Sequence, residues 1–178
     1  MMELTKSNLQ TYAATYDEQR TEKDRTVEEK MKMLLATQRF LTLEEFIEIG
    51  MWKSTRPKKW YESNNEETVR EITTFSFSAK TEQARVGSLF VLRGVSYPVA
   101  SVLLHFAFPE RYPILDFRAL WSLGWEQPND YRFDFWMRYC IRFREVAQQF
   151  GLPLRIVDKA LWQYSSDHQG KSTAAAAG

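Results

Sequence analysis

The chain has 178 residues, 44% of them hydrophobic and 15% aromatic, enough for one domain, or two small lobes, with a real core. One cysteine, Cys140, excludes an internal disulfide and a cysteine-ligated iron–sulfur or other metal centre, and no apolar run approaches the ~18 residues of a membrane helix. With 24 cations against 23 acids the net charge is +1, so attraction for a polyanion has to come from local patches.

Residues 1–25 are polar and charged, with Leu4, Leu9, Tyr12 and Tyr16 as the few apolar anchors, and read as a segment packed on or flanking the domain. Thr26-Val27-Glu28-Glu29 has the form of a capping box and predicts a helix to about Phe40, with Met31, Leu34 and Leu35 inward. Thr42-Leu43-Glu44-Glu45 repeats the signal, followed by Phe46, Ile47 and Ile49. That helix runs into the densest basic and aromatic stretch of the chain, Met51 to Tyr61, where Pro57 predicts a connection. Its cations Lys53, Arg56, Lys58 and Lys59 can sit against phosphates while a Trp or Tyr stacks on a base. The plainer reading is a solvated linker with Trp52 tucked into the core, and it serves for Lys58 and Lys59.

Asn64-Asn65-Glu66-Glu67 caps a further helix with Val69 and Ile72 inward and Phe75 and Phe77 near its end, and Thr81 caps another over Glu82 to Leu92. Arg93-Gly94-Val95-Ser96-Tyr97-Pro98 interrupts it, since glycine is permissive and proline lacks a donor, so a hairpin between two helices is predicted at 92–99. The second of these helices, Val99 to Phe108, is apolar almost all round and predicted to be buried. Tyr112-Pro113-Ile114-Leu115 reads as an extended run delivering Asp116 to a helix, Phe117 to Leu123, that Gly124 ends. Phe133 to Phe150 is amphipathic, with Trp136, Cys140, Phe143, Ala147 and Phe150 at core spacing, and a last helix follows from Pro153 to about Tyr164. Residues 167–178, ending in alanines, read as a disordered tail. The predicted fold is all-α, with the main domain over 26–166.

Two stretches together resemble the helix-hairpin-helix (HhH-GPD) DNA glycosylase superfamily. Leu92-Arg93-Gly94-Val95-Ser96-Tyr97-Pro98-Val99-Ala100 matches its hairpin, and Ile114-Leu115-Asp116 matches the context of its catalytic aspartate at a similar spacing. Ser96 stands in place of the second hairpin glycine, where a serine at positive φ is unusual. Pro98 stands where bifunctional members carry their Schiff-base lysine. The resemblance implies a small stand-alone member with a two-lobed helical fold, a monomer acting on double-stranded DNA inside the cell, in the cytoplasm or nucleoid, without a membrane.

What it implies about chemistry is specific. The hairpin, Arg93 to Tyr97, would grip a phosphate with backbone amides and the helix dipole, and in the family its carbonyls also hold an alkali ion; no other cofactor and no metal site are implied. Asp116 would face the sugar C1′ of a flipped-out nucleotide and stabilise the positive charge that develops there. Lys53, Arg56 and Arg118 would contact DNA, and Trp52, Tyr112 and Trp121 would line the base pocket. With Pro98 in place of an amine nucleophile, the implied enzyme removes a damaged or modified base without nicking the strand, in base-excision repair or in defence against phage with modified DNA. Each residue also has a plainer role: Asp116 as a helix N-cap, Arg118 as an ion-pair partner, Trp121 and Tyr112 as core. His105, mid-helix among apolar neighbours, reads as a hydrogen-bonded core histidine. The rival function is a non-catalytic helix-hairpin-helix module binding DNA or protein.

Overall fold

The computed structural model describes residues 1–170, and the tail from residue 171 lies outside them. Among the described residues there are ten helices and no strand, so the fold is all-α. The chain divides into two compact units, a terminal unit made of Met1–Arg20 and the chain from Leu115 onward, and a central unit, Thr21–Ile114.

The terminal unit is built around α10 (Leu154–His168), which packs against α1 (Lys6–Gln19), α8 (Phe117–Leu123) and α9 (Phe133–Phe150). Leu154, Val157, Ala160 and Leu161 recur on α10 at helical spacing and all are buried, opposite Leu9 and Ala13 of α1 and Ala119, Leu120 and Leu123 of α8. Most of the N-terminal segment is thus a helix packed within this unit. Thr5 caps it, Leu9 supplies its buried anchor, and Lys159 of α10 pairs with Asp17 at 2.8 Å. On α9 the buried face is Trp136, Tyr139, Cys140, Phe143 and Val146; Ala147 and Phe150, expected inside, are only half-buried. Gly124 and Gly151 close α8 and α9 in the left-handed conformation, as the sequence predicts. The last helix continues past Tyr164 to His168, so residues 167 and 168 of the expected tail are helical.

In the central unit α3 (Leu43–Lys53) and α7 (Tyr97–Ala107) form the hub, with α2 (Glu22–Thr37) against both. The short α4 (Lys58–Glu62) and then α5 (Glu66–Ser78) adjoin α3, and α6 (Glu82–Leu89) bridges α5 and α7. The chain passes from the terminal into the central unit between Arg20 and Thr21. Thr21, not Thr26, caps α2, accepting from the Asp24 amide, whereas the Thr26 hydroxyl donates back to the Glu22 carbonyl inside the helix. Two threonine signals compete in this stretch, and the acidic first turn of Glu22 and Asp24 favours the earlier start. The box at Thr42 and Glu45 forms as predicted.

Near the end of α5, Phe75 lies 53% exposed while Phe77 turns inward. α6 stops at Leu89, three residues short of its predicted end, and successive amides of Phe90, Val91 and Leu92 then bond three residues back in a tightened turn. Sequence reading also missed Arg85. Buried at 7% exposure, it donates to the carbonyls of Ser76, Phe77 and Ala79, satisfying the end of α5, and lies over the Phe108 ring.

Candidate functional site

The hairpin belongs to the central unit. Leu92-Arg93-Gly94-Val95 makes a turn in which the Val95 amide donates to the Leu92 carbonyl at 3.2 Å, and its third residue, Gly94, takes φ +86°. Ser96 is extended at φ −119° in the N-cap position of α7, so the chain meets no left-handed serine here and Gly94 is the one residue of the turn at positive φ. Ser96 does not cap α7 with its side chain, and Pro98 within the first turn removes one amide donor. α7 then runs through a wall of buried residues from Val99 to Ala107, which fixes the hairpin as the outer end of a core helix.

Tyr61, at the end of the basic–aromatic stretch, and Asn64, three residues later, hold the turn in place. Tyr61 is fully buried and wedged between two glycines. A Cβ on Gly94 would lie 2.7 Å from its Cδ1, and one on Gly50 of α3 2.9 Å from its Cε2. Its hydroxyl has no hydrogen-bond partner among the described residues, and burial pushes its pKa up to about 12. Asn64 clamps Arg93 from both sides, its Oδ1 accepting from the Arg93 amide at 2.8 Å and its Nδ2 donating to the Arg93 carbonyl at 3.0 Å. The Arg93 side chain remains exposed, and the Tyr97 ring lies 4.7 Å from Phe90.

Of the other central-unit candidates, Lys53 ends α3 half-buried and Arg56 is exposed in the turn that follows. Of the two aromatics expected as pocket walls, Trp52 is half-buried and Tyr112 buried. The Trp52 indole donates to the Asp24 carbonyl at 3.3 Å and its ring meets Phe106 edge-on at 5.4 Å. Tyr112 is only 1% exposed. Its hydroxyl donates to Glu82 at 2.6 Å and its carbonyl bonds His105 Nδ1 at 2.8 Å, so both of its polar ends are spent inside the unit. His105 is the core histidine its apolar setting predicts.

Asp116 lies in the terminal unit, two residues past the crossing at Ile114 and Leu115. It is half-buried, extended at φ −144°, and caps α8, Oδ1 accepting from the Arg118 amide at 3.0 Å. The plainer reading of Asp116 as N-cap is therefore true, and it fixes the carboxylate's orientation. Arg118 lies over the rings of Phe117 at 5.3 Å and Trp162 at 5.0 Å, and Trp121 leans on Tyr164 at 5.9 Å. Among the described residues Arg118 makes no ion pair with an acid. Sequence reading missed two phenols beside the carboxylate. Burial, and after it the negative charge of Asp116, raises Tyr131 to about 12. Tyr139, wholly buried, is pushed up by burial and then by the charges of Asp158 and Asp116, while a backbone hydrogen bond with Asp116 opposes the shift. Tyr139 was findable, standing three after Trp136 and four before Phe143 on the buried face of α9. Tyr131, in the preceding loop, carried no signal.

No group of three or more metal-ligating side chains occurs among the described residues, and no helix there is long and apolar enough to cross a membrane. Comparison with protein-family models, with curated proteins and with solved structures found no match.

Proposed function

We propose that this protein is a monofunctional DNA glycosylase, which extrudes a damaged or modified base from double-stranded DNA and hydrolyses its N-glycosidic bond. The observation that carries the reading is a pairing along the chain. A left-handed glycine turn opens a buried apolar helix, and the carboxylate of Asp116, held by a hydrogen bond to a backbone amide, follows 22 residues after Gly94.

The amides and dipole at the start of α7, presented by a turn whose missing Cβ leaves room for the Tyr61 ring beneath it, favour negative charge there. Among the described residues none donates to the carbonyls of Gly94 and Val95, which leaves acceptors that suit an alkali ion. Such an ion would supply a further positive charge to the phosphate. As the glycosidic bond breaks, its electron pair leaves with the base and positive charge builds on the sugar. A fixed carboxylate in low-dielectric surroundings stabilises that charge. Asp116 also accepts a proton from the attacking water, whose oxygen bonds to C1′, and the departing base is protonated by solvent. The neighbouring phenols stay neutral through the working pH range and so add dipoles without competing charge. Pro98 has no amine, so the reaction ends at base removal.

The test is base release from synthetic duplexes carrying oxidised, alkylated, deaminated and hypermodified bases, with wild type and Asp116→Asn in parallel. Loss of release in the variant is the expected result. Equal release by both ends the catalytic role of Asp116, and trapping of a covalent wild-type complex by borohydride ends the monofunctional one.

A further inference from the structure

Trp60 was not singled out by sequence, yet its placement is the most unusual on the surface of the central unit. It is 60% exposed, a large apolar area for water to cover. Its backbone is locked all the same: its carbonyl accepts from the Ser63 hydroxyl at 2.8 Å and from Asn64 Nδ2 at 3.0 Å. That same Asn64 nitrogen donates to the Arg93 carbonyl at 3.0 Å, and the Trp60 Cβ is 3.1 Å from where a Gly94 Cβ would lie. One amide thus ties the tryptophan to the hairpin. Phe90 and Val91, just before the hairpin, are exposed as well, at 37% and 62%.

The charge around this surface selects its occupant. Residues 53–62 and 88–97 carry five cations against one acid, a net of +4 in a chain whose total is +1, so everything else sums to −3. An exposed aromatic ring on a fixed backbone beside a cation-rich turn fits a nucleic-acid strand: phosphates meet the cations, and an unpaired base stacks on the indole. We propose that Trp60 is the stacking platform for an unpaired base next to the phosphate held by the hairpin, so that the protein binds duplexes containing a locally unpaired nucleotide better than perfect ones. This rests on the DNA-binding reading above, and it assigns to Trp60 the role that sequence gave to Trp52, whose ring is engaged with Phe106.

The test titrates the full chain against two labelled duplexes of equal length, one perfect and one with a single bulged base, at fixed salt. Wild type is expected to prefer the bulged duplex. Trp60→Ala should weaken that complex about tenfold or more while leaving the perfect duplex unchanged, and Trp60→Phe, which keeps a ring, should retain most of the preference. Wild-type-like binding of both duplexes by Trp60→Ala overturns the inference and leaves the glycosylase reading standing. Binding of neither duplex by wild type defeats both. A wild-type dimer that Trp60→Ala converts to monomer also overturns it, since the patch would then be an interface between copies of the chain.

Discussion

Replacing Gly94 by alanine should destabilise the protein through two separable effects. The first is backbone strain, because φ +86° is a region that an L side chain enters at about 1–2 kcal/mol. The second is a collision: the new Cβ would meet the Tyr61 ring at 2.7 and 2.9 Å, and that ring cannot retreat because Gly50 backs it on the other side, where a Cβ would lie 2.9 Å away. Overpacking of this kind costs about 1–3 kcal/mol, so the total is about 2–5 kcal/mol. Gly151→Ala isolates the strain, since it has φ +60° and nothing within 4 Å of its ideal Cβ. It should cost only about 1–2 kcal/mol. Gly50→Ala isolates the collision, partly offset by the better helix propensity of alanine, which contributes up to about 1 kcal/mol. Urea unfolding of the three variants measures all of these. A Gly94→Ala protein no less stable than Gly151→Ala would refute the claim that Tyr61 is wedged against the hairpin, and with it the account of how the turn is held.

Tyr61→Phe should be neutral or slightly stabilising at pH 7, because it removes a buried hydroxyl with no hydrogen-bond partner among the described residues. The sign changes its weight at high pH. With the folded pKa raised from 10.0 to about 12, the Tyr61 contribution is constant below pH 10 and falls by about 2–3 kcal/mol as pH rises from 10 to 12, so the advantage of the phenylalanine variant should widen across that window in denaturant titrations. Asn64→Ala removes both bonds to Arg93 and should cost about 1–3 kcal/mol, with weaker DNA binding in the same samples; unchanged stability would show that the clamp is not needed. Arg85→Met strips three carbonyls at the end of α5 of their partner and should cost about 3–5 kcal/mol in the same assay. Asp116→Asn keeps an N-cap acceptor and should unfold like wild type, whereas Asp116→Ala should lose about 1 kcal/mol; base release should fall in both, which separates the capping role from the chemical one.

The all-helical architecture was legible because it depends on short-range physics. Threonine and asparagine caps at 42, 65 and 81, the glycine stops at 124 and 151, and the apolar run of α7 each act over one or two turns of chain, and each works as its local sequence predicts. The glycine turn and the aspartate cap of the candidate site were legible for the same reason. Where two local signals competed, as at Thr21 and Thr26, periodicity could not choose between them.

What only tertiary structure decided is which side chains are consumed by packing and which are left for solvent. Trp52, Trp60, Tyr61 and Tyr112 are all aromatic residues of the central unit, and nothing in their neighbours' identities separates them. Tyr61 is wedged between glycines 44 residues apart, Tyr112 reaches back to Glu82, Trp52 meets Phe106, and Trp60 is the one left exposed beside the hairpin. Those outcomes are fixed by contacts between residues distant in the chain, and a sequence pattern with a range of four residues cannot encode them.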